Sequence, residues 1–448
     1  MYRTPTPRIL ALATLCFLAF GWVTSHAAPP IQTWTTDNGV RVLFMETHHL
    51  PMVDARVIFR AGSARDGDKP GLAELTNAVL VEGSDGLPGT ELFTRLEDVG
   101  AEFGNGSYRD MALLELRSLS DPARLEPAAR TLALMLSKPD FPADALERDR
   151  ASLLATVKRK QASAGAQAGL ALYRELYGDH PYASPGEGNE ASLTALTRED
   201  VKAFHRRYYV GRNATLAIVG DLDLEKARAL AQTLVADLPA GQRAKPLPTP
   251  EPLGEGRVEH VAFPSSQSHL YLAQLGVARG DPDYFPLYVG NHILGGNGLV
   301  SNLSVEVREK RGLSYSVSSG FSPMATTGPF YIGLQTRNDQ ADEALAVALA
   351  EFRRFRDAGP SAEELSAAQR NITGSFPLNV DSNSDLIGYL GMIGFYEIPL
   401  DWLDRFAERV NAVSRDAVRD AFQRRMHPDA LLEIRVGPKP ADTAANPS

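Results

Sequence analysis

Two short segments hold the residues whose types and spacing bear most directly on chemistry. The first reads Gly71-Leu72-Ala73-Glu74-Leu75-Thr76-Asn77-Ala78-Val79-Leu80-Val81, with Leu72, Leu75, Val79 and Leu80 at helical spacing. A helix over 71–81 is expected. Residues 74 and 78 then share one helix face, the arrangement by which two histidines hold one zinc ion. Here the pair is Glu74 and Ala78. Ala78 has no lone pair to give. Asn77 is a neutral amide and cannot take a proton from a metal-bound water. Glu74 could ligate, but alone it would hold zinc weakly. No other histidine in the chain beyond residue 27 stands three or four positions from a second one, and His48 and His49, being adjacent, would face opposite sides of a strand.

The second segment runs Asn291-His292-Ile293-Leu294-Gly295-Gly296-Asn297-Gly298-Leu299, then Val305-Glu306-Val307-Arg308-Glu309-Lys310-Arg311-Gly312-Leu313-Ser314-Tyr315. Glycines break one helix before a short second one. Gly312 reads as the glycine just past its end, with Lys310 and Arg311 suited to its last turn. Tyr315 opens an expected strand over 315–321, where alternation would set its phenol on the face of Val317, Ser319 and Phe321. A guanidinium and a phenol beside an extended peptide can donate to its carbonyls. They can also stabilise charge on a carbonyl oxygen that turns tetrahedral, worth about 3 kcal/mol per donor. The plain alternative is a capped helix followed by a strand whose tyrosine merely packs.

Both segments resemble the M16 (pitrilysin-like, inverted-zincin) metallopeptidases, in the subfamily B style of a two-half chain. The family's zinc helix reads H-x-x-E-H. Glu74, Asn77 and Ala78 stand where His, Glu and His would be. The resemblance implies a third ligand, a Glu, on a helix like that of residues 147–157. Thr156 holds that position, or Ala155 if the register slips by one. It also implies that Arg308 and Tyr315, seven residues apart, hold substrate at the scissile bond. The expected protein is therefore the zinc-less subunit of a heterodimeric peptidase. It is inactive alone and needs no cofactor of its own. A zinc-binding M16 partner would supply Zn²⁺ and the base, and a peptide or unfolded polypeptide would be the substrate. Two other readings stay open: a non-enzymatic M16-like scaffold or peptide-binding protein, and a stand-alone peptidase using a different metal site.

The elements that must position these residues come in two echoing halves. The chain repeats itself with a period of about 217 residues. Thr197-Arg198-Glu199-Asp200-Val201 echoes Ser414-Arg415-Asp416-Ala417-Val418, and each is followed by an apolar strand ending in glycine, at Gly220 and Gly437. Strands are expected over 40–46, 52–60 and 111–119, and helices over 90–99, 124–136 and 144–160. The second half repeats the order with strands over 269–275, 315–321 and 329–336. Its helices are expected over 286–294 and from Asp339 and Ala362. The fold class is α+β: two homologous halves, each a mostly antiparallel sheet with helices on one face, together forming half of a clam-shell. The expected divisions are an N-terminal-type domain over 28–240, a Pro-rich linker over 241–257, a C-terminal-type domain over 258–441 and a tail over 442–448. Arg56, Arg60 and Glu82 read as structural or solvated.

Residues 1–27 read as a secretory signal peptide. Arg3 and Arg8 precede an apolar run over 9–23, and Ser25-His26-Ala27 supplies small residues before a cleavage point. The single cysteine, Cys16, lies inside that segment, so the exported chain needs no disulfide. The periplasm is the expected compartment, and the four N-x-S/T sequons are then chance matches. The 448 residues are 44% apolar and 23% charged, with a net charge of −9 and both signs mixed along the chain. That balance argues against nucleic acid or an anionic membrane as partner.

Overall fold

The computed structural model describes residues 30–438. The signal peptide expected over 1–27 and the tail over 442–448 lie outside the described residues. Strands β1 (Ile31–Thr35), β2 (Arg41–Glu46), β3 (Met52–Phe59), β4 (Glu102–Ser107), β5 (Ala112–Leu119) and β6 (Ala214–Gly220) form one sheet in the order β1-β2-β6-β3-β5-β4. Strands β7 (Arg257–Ala262), β8 (Gln267–Leu275), β9 (Ser316–Phe321), β10 (Pro329–Arg337) and β11 (Leu432–Gly437) form the other, in the order β9-β10-β8-β11-β7. The two sheets share one pairing scheme. β2 runs parallel to β6, as β7 does to β11, and every other neighbouring pair in both sheets is antiparallel. The sequence repeat is thus a repeat of topology, with β1 as an extra edge strand.

Helices α1 (Leu72–Val79), α2 (Gly89–Glu97), α3 (Pro122–Ser137), α4 (Ala143–Gln161), α5 (Ala164–Tyr177), α6 (Arg198–Tyr208) and α7 (Leu224–Val235) follow in the first half. In the second half come α8 (Tyr284–Asn291), α9 (Ala341–Ala358), α10 (Ala362–Ser375), α11 (Asn383–Tyr396) and α12 (Arg415–Arg425). The starts carry their own signals. Thr197 and Asp200 close a reciprocal capping box on α6, and Ser361 and Glu364 do so on α10. Each box satisfies two backbone donors that a helix start leaves orphaned. The Ser414 hydroxyl accepts the amide of Ala417 to cap α12. Residues 239–256 form neither helix nor strand.

Most helices cover one face of their own sheet, which buries Val42, Phe44, Val57 and Leu216 in the first half. The opposite faces are filled by exchange. α5 belongs to the first half but lies on β8 and β11, where Ala168, Ala171 and Leu172 meet Ala273, Leu432, Ile434 and Val436. α11 belongs to the second half but lies on β2, β3 and β6, where Leu386, Leu390 and Ile393 meet Leu43, Met45, Ala217 and Val219. The two helices occupy corresponding places in the repeat. Glycine lets α11 sit this close: a Cβ on Gly394 would stand 2.5 Å from Leu43 Cδ1 and 2.7 Å from Thr215 Cγ2.

Arg60, expected to be structural or solvated, fastens this exchange. Its guanidinium donates to the Phe395 carbonyl at 2.6 Å and to Glu397 at 3.2 Å, and lies 4.6 Å from the centre of the Phe395 ring. A cation at the last turn of α11 meets the negative end of the helix dipole. Arg56 pairs with Glu115 across the sheet at 2.9 Å, and Glu82 with Arg148 at 2.8 Å.

Candidate functional site

Helix α1 starts at Gly71, whose φ of 91° is open to glycine at little cost. The Asp66 carboxylate accepts the amides of Gly71 and Ala73, each at 2.8 Å, and does the work of an N-cap from outside the helix. Burial pushes the Asp66 carboxyl up to about 7. One turn further on, the half-buried Glu74 accepts a hydrogen bond from Ser107. Burial, and then the charge of Glu187, push its carboxyl up to about 7 as well.

Asn77 faces the other way. It is buried, and its side-chain oxygen and backbone carbonyl take both contacts of the Asn105 amide, at 3.0 and 2.9 Å. Its own amide reaches the hydroxyl of the buried Tyr209 at 3.5 Å. Ala78 is half-buried and offers a methyl group. On α4, the Thr156 hydroxyl donates to the Ser152 carbonyl at 3.1 Å and accepts from Arg159 at 2.8 Å, so it is spent on its own helix. These residues do not fit a zinc ion. Of the four positions only Glu74 offers a carboxylate, and the amide at the base position is built into the core. Among the described residues, no group of three or more His, Cys, Asp or Glu side chains is placed to hold a metal.

Glu74 instead opens into a cavity of about 370 Å³ that it shares with Ser107, Arg109, Lys160, Tyr173 and Glu187. Sequence spacing did not single out the last five, because they come from four separate places in the chain. Asp149 on α4 was missed too. Burial and the nearby Glu82 push its carboxyl up to about 6, and its Oδ2 is buried without a hydrogen-bond partner.

Arg308 and Tyr315 meet in the other half. Ser304–Glu309 winds as a widened, π-type turn, and the Lys310 amide bonds to the Val305 carbonyl at 3.0 Å. Such turns displace a side chain from its regular helical position and recur at functional sites. Gly312, at φ 63°, ends the helix, and its amide reaches the Arg308 carbonyl at 2.9 Å. Lys310 and Arg311 both pair with Glu306, each at 2.6 Å. Among the described residues Arg308 joins no such pair.

Tyr315 departs from the expected alternation. Val317 and Ser319 are buried, yet Tyr315 is 89% exposed, and β9 begins only at Ser316. The cause is Ser314. Its hydroxyl contacts the carbonyls of Ser316 and Gln335, each at 2.7 Å, and accepts the Ser316 amide at 3.1 Å. This local turn expels Tyr315 from the sheet face. The phenol and the guanidinium of Arg308 then line one open groove of about 480 Å³, with Leu299 and Glu309 beside them.

Comparison with known proteins finds one family along most of the chain. Residues 41–189 match the family profile "Insulinase (Peptidase family M16)", and residues 195–372 match "Peptidase M16 inactive domain". A crystal structure of the peptidase M16 inactive domain from Pseudomonas fluorescens is 42% identical, with a TM-score of 0.89, and covers 92% of this chain and 98% of its own. The non-peptidase homolog YmxG of Helicobacter pylori is 25% identical over 389 residues, 85% of this chain and 88% of that one. An uncharacterized zinc protease of Streptomyces coelicolor is 25% identical over 410 residues, 88% and 87% of the two chains. With both of its halves matched and its zinc positions replaced, the chain belongs to the M16 peptidase family, among the members that carry its inactive domain.

Proposed function

We propose that this chain is the substrate-holding subunit of a periplasmic heterodimeric M16 zinc peptidase. A separate H-x-x-E-H chain would supply the metal and the general base. This chain would supply Arg308 and Tyr315, whose donors hold the backbone of an extended peptide and steady charge on the carbonyl oxygen under attack. The observation that supports this most is the freedom of those two side chains. Neighbouring Lys310 and Arg311 are tied to Glu306, while Arg308 pairs with no carboxylate among the described residues and shares a groove with an almost fully exposed phenol. A tyrosine that merely packed would lie on the sheet face with Val317.

The second reading is a non-catalytic scaffold, and it is favoured by the name of the Helicobacter pylori relative, a non-peptidase homolog. One experiment separates the two. The chain lacking residues 1–27 is purified alone and assayed for zinc content and peptide cleavage, then mixed with an H-x-x-E-H chain recovered with it from cells. The proposal expects no zinc and no cleavage alone, and cleavage on mixing. The double variant Arg308→Ala/Tyr315→Ala should abolish cleavage, with dimer and zinc content unchanged. Full activity of that double variant favours the scaffold.

A further inference from the structure

The cavity around Glu74 is separate from the Arg308 groove and shares no lining residue with it. Four charged side chains face it: Glu74 from α1, Lys160 from α4, Arg109 from the turn after β4, and Glu187 from the segment between α5 and α6. Their charges are not equally occupied. Lys160 is bonded to Glu187. Arg109 lies over Tyr173, 3.6 Å from its ring centre, and donates to the carbonyls of Tyr182 and Ser184 at 2.6 and 2.9 Å. Glu74 joins no ion pair among the described residues; Ser107 bonds to it, and the charge of Lys160 acts on it from beyond contact. Tyr108, 58% exposed, stands on the same wall and offers a ring to an aliphatic stem.

We infer that this cavity binds a primary ammonium group, carried by a lysine side chain or by the amino terminus of a peptide. The Glu74 carboxylate would accept from it, and the methylenes behind the charge would lie against Tyr108. The cavity, about 370 Å³, is open and large enough for one side chain with its flanking amides. A half-buried carboxylate with no cation in direct contact is costly, and an arriving ammonium offsets that cost with a charge-assisted hydrogen bond. The two cations already present do not repel it strongly, because each is committed elsewhere. The position that lost its zinc ligand has in this reading become a recognition site for an organic cation.

The test uses the whole chain and calorimetric titration with Nα-acetyl-lysine methylamide. The norleucine analogue, which lacks only the ammonium, and glycine methylamide, which carries only an α-amine, serve as the comparison probes. Lysine binding should exceed norleucine binding by about tenfold or more, and Glu74→Gln should remove that advantage. Lys160→Met frees Glu187 and should tighten lysine binding. Glycine methylamide tells the two ammonium sources apart: binding that depends on Glu74 assigns the site to an amino terminus, and lysine-only binding assigns it to the side chain. Unchanged binding of both ammonium probes in a folded Glu74→Gln protein overturns the inference. So does the absence of binding of both the lysine probe and glycine methylamide up to about 10 mM, or lysine binding no tighter than norleucine with no glycine methylamide binding. Arg308→Ala/Tyr315→Ala should bind the lysine probe as the parent does, so failure here is distinct from failure of the peptidase-subunit proposal.

Discussion

Asn105 holds both oxygens of Asn77, with its amide donating to the backbone carbonyl at 2.9 Å and to the side-chain oxygen at 3.0 Å. The residue that stands at the general-base position has become a link between α1 and the edge strand β4. Asn77→Ala should cost about 1–3 kcal/mol, since it leaves buried polar groups short of a partner. Asn77→Glu should cost more, because a charge would be driven against Tyr209 in a closed site. Urea unfolding of both variants measures this, and a neutral Asn77→Glu would contradict the placement.

The exchanged helices allow a paired glycine test. Gly169 on α5 has nothing within 4 Å of where a Cβ would sit, so Gly169→Ala should stabilise by about 1 kcal/mol through helix propensity. At Gly394 the same gain is opposed by contacts at 2.5 and 2.7 Å with the buried Leu43 and with Thr215. Overpacking of this kind costs about 1–3 kcal/mol, so Gly394→Ala should destabilise on balance. Thermal midpoints that move in the same direction for both would show that α11 does not press on the first sheet.

Stability should respond to pH through Glu74 with a defined sign. Its folded-state carboxyl titrates near 7 instead of at its ordinary 4.5. Between those values the native state binds more protons than the unfolded chain, so this contribution falls as pH rises from about 4.5 to 7 and is flat above. His205 works in the opposite direction: burial holds it down to about 4, which erodes stability as pH drops below 6.5. The clean measurement is therefore a difference. Glu74→Gln should gain on the parent as pH rises from 5 to 8, and parallel curves would refute the shift.

Asp110 joins three groups from both halves of the chain. It is buried, and it accepts the hydroxyls of Tyr182 and Tyr396 and the amide of Ala325. Asp110→Ala strands all three donors and should cost about 3 kcal/mol or more. Asp110→Asn keeps one acceptor oxygen and should cost less. A single cooperative transition, shifted down for both variants, is expected by calorimetry.

Much of this was legible in the sequence because the signals were local. Alternating apolar residues marked the strands around residues 52–59 and 112–119, and the helix expected from Ala362 begins there. That Ala78 has no lone pair to offer a metal follows from residue type alone. Three things could not be read. The outward turn of Tyr315 depends on Ser314 reaching across to Gln335. The cavity at Glu74 gathers side chains that sequence separates by more than a hundred residues. The true neighbours of α5 and α11 were hidden because α11 is apolar nearly all round, and an apolar helix face does not say which of two sheets it will cover.

The exchange of α5 and α11 also constrains how such a chain arose and how it can be cut. Each sheet has one face that only the other half can cover, so a half produced alone would present an uncovered apolar surface and associate with whatever fits it. A single-half ancestor would have needed a second copy of itself, each lending one helix to the other, as in a domain-swapped dimer.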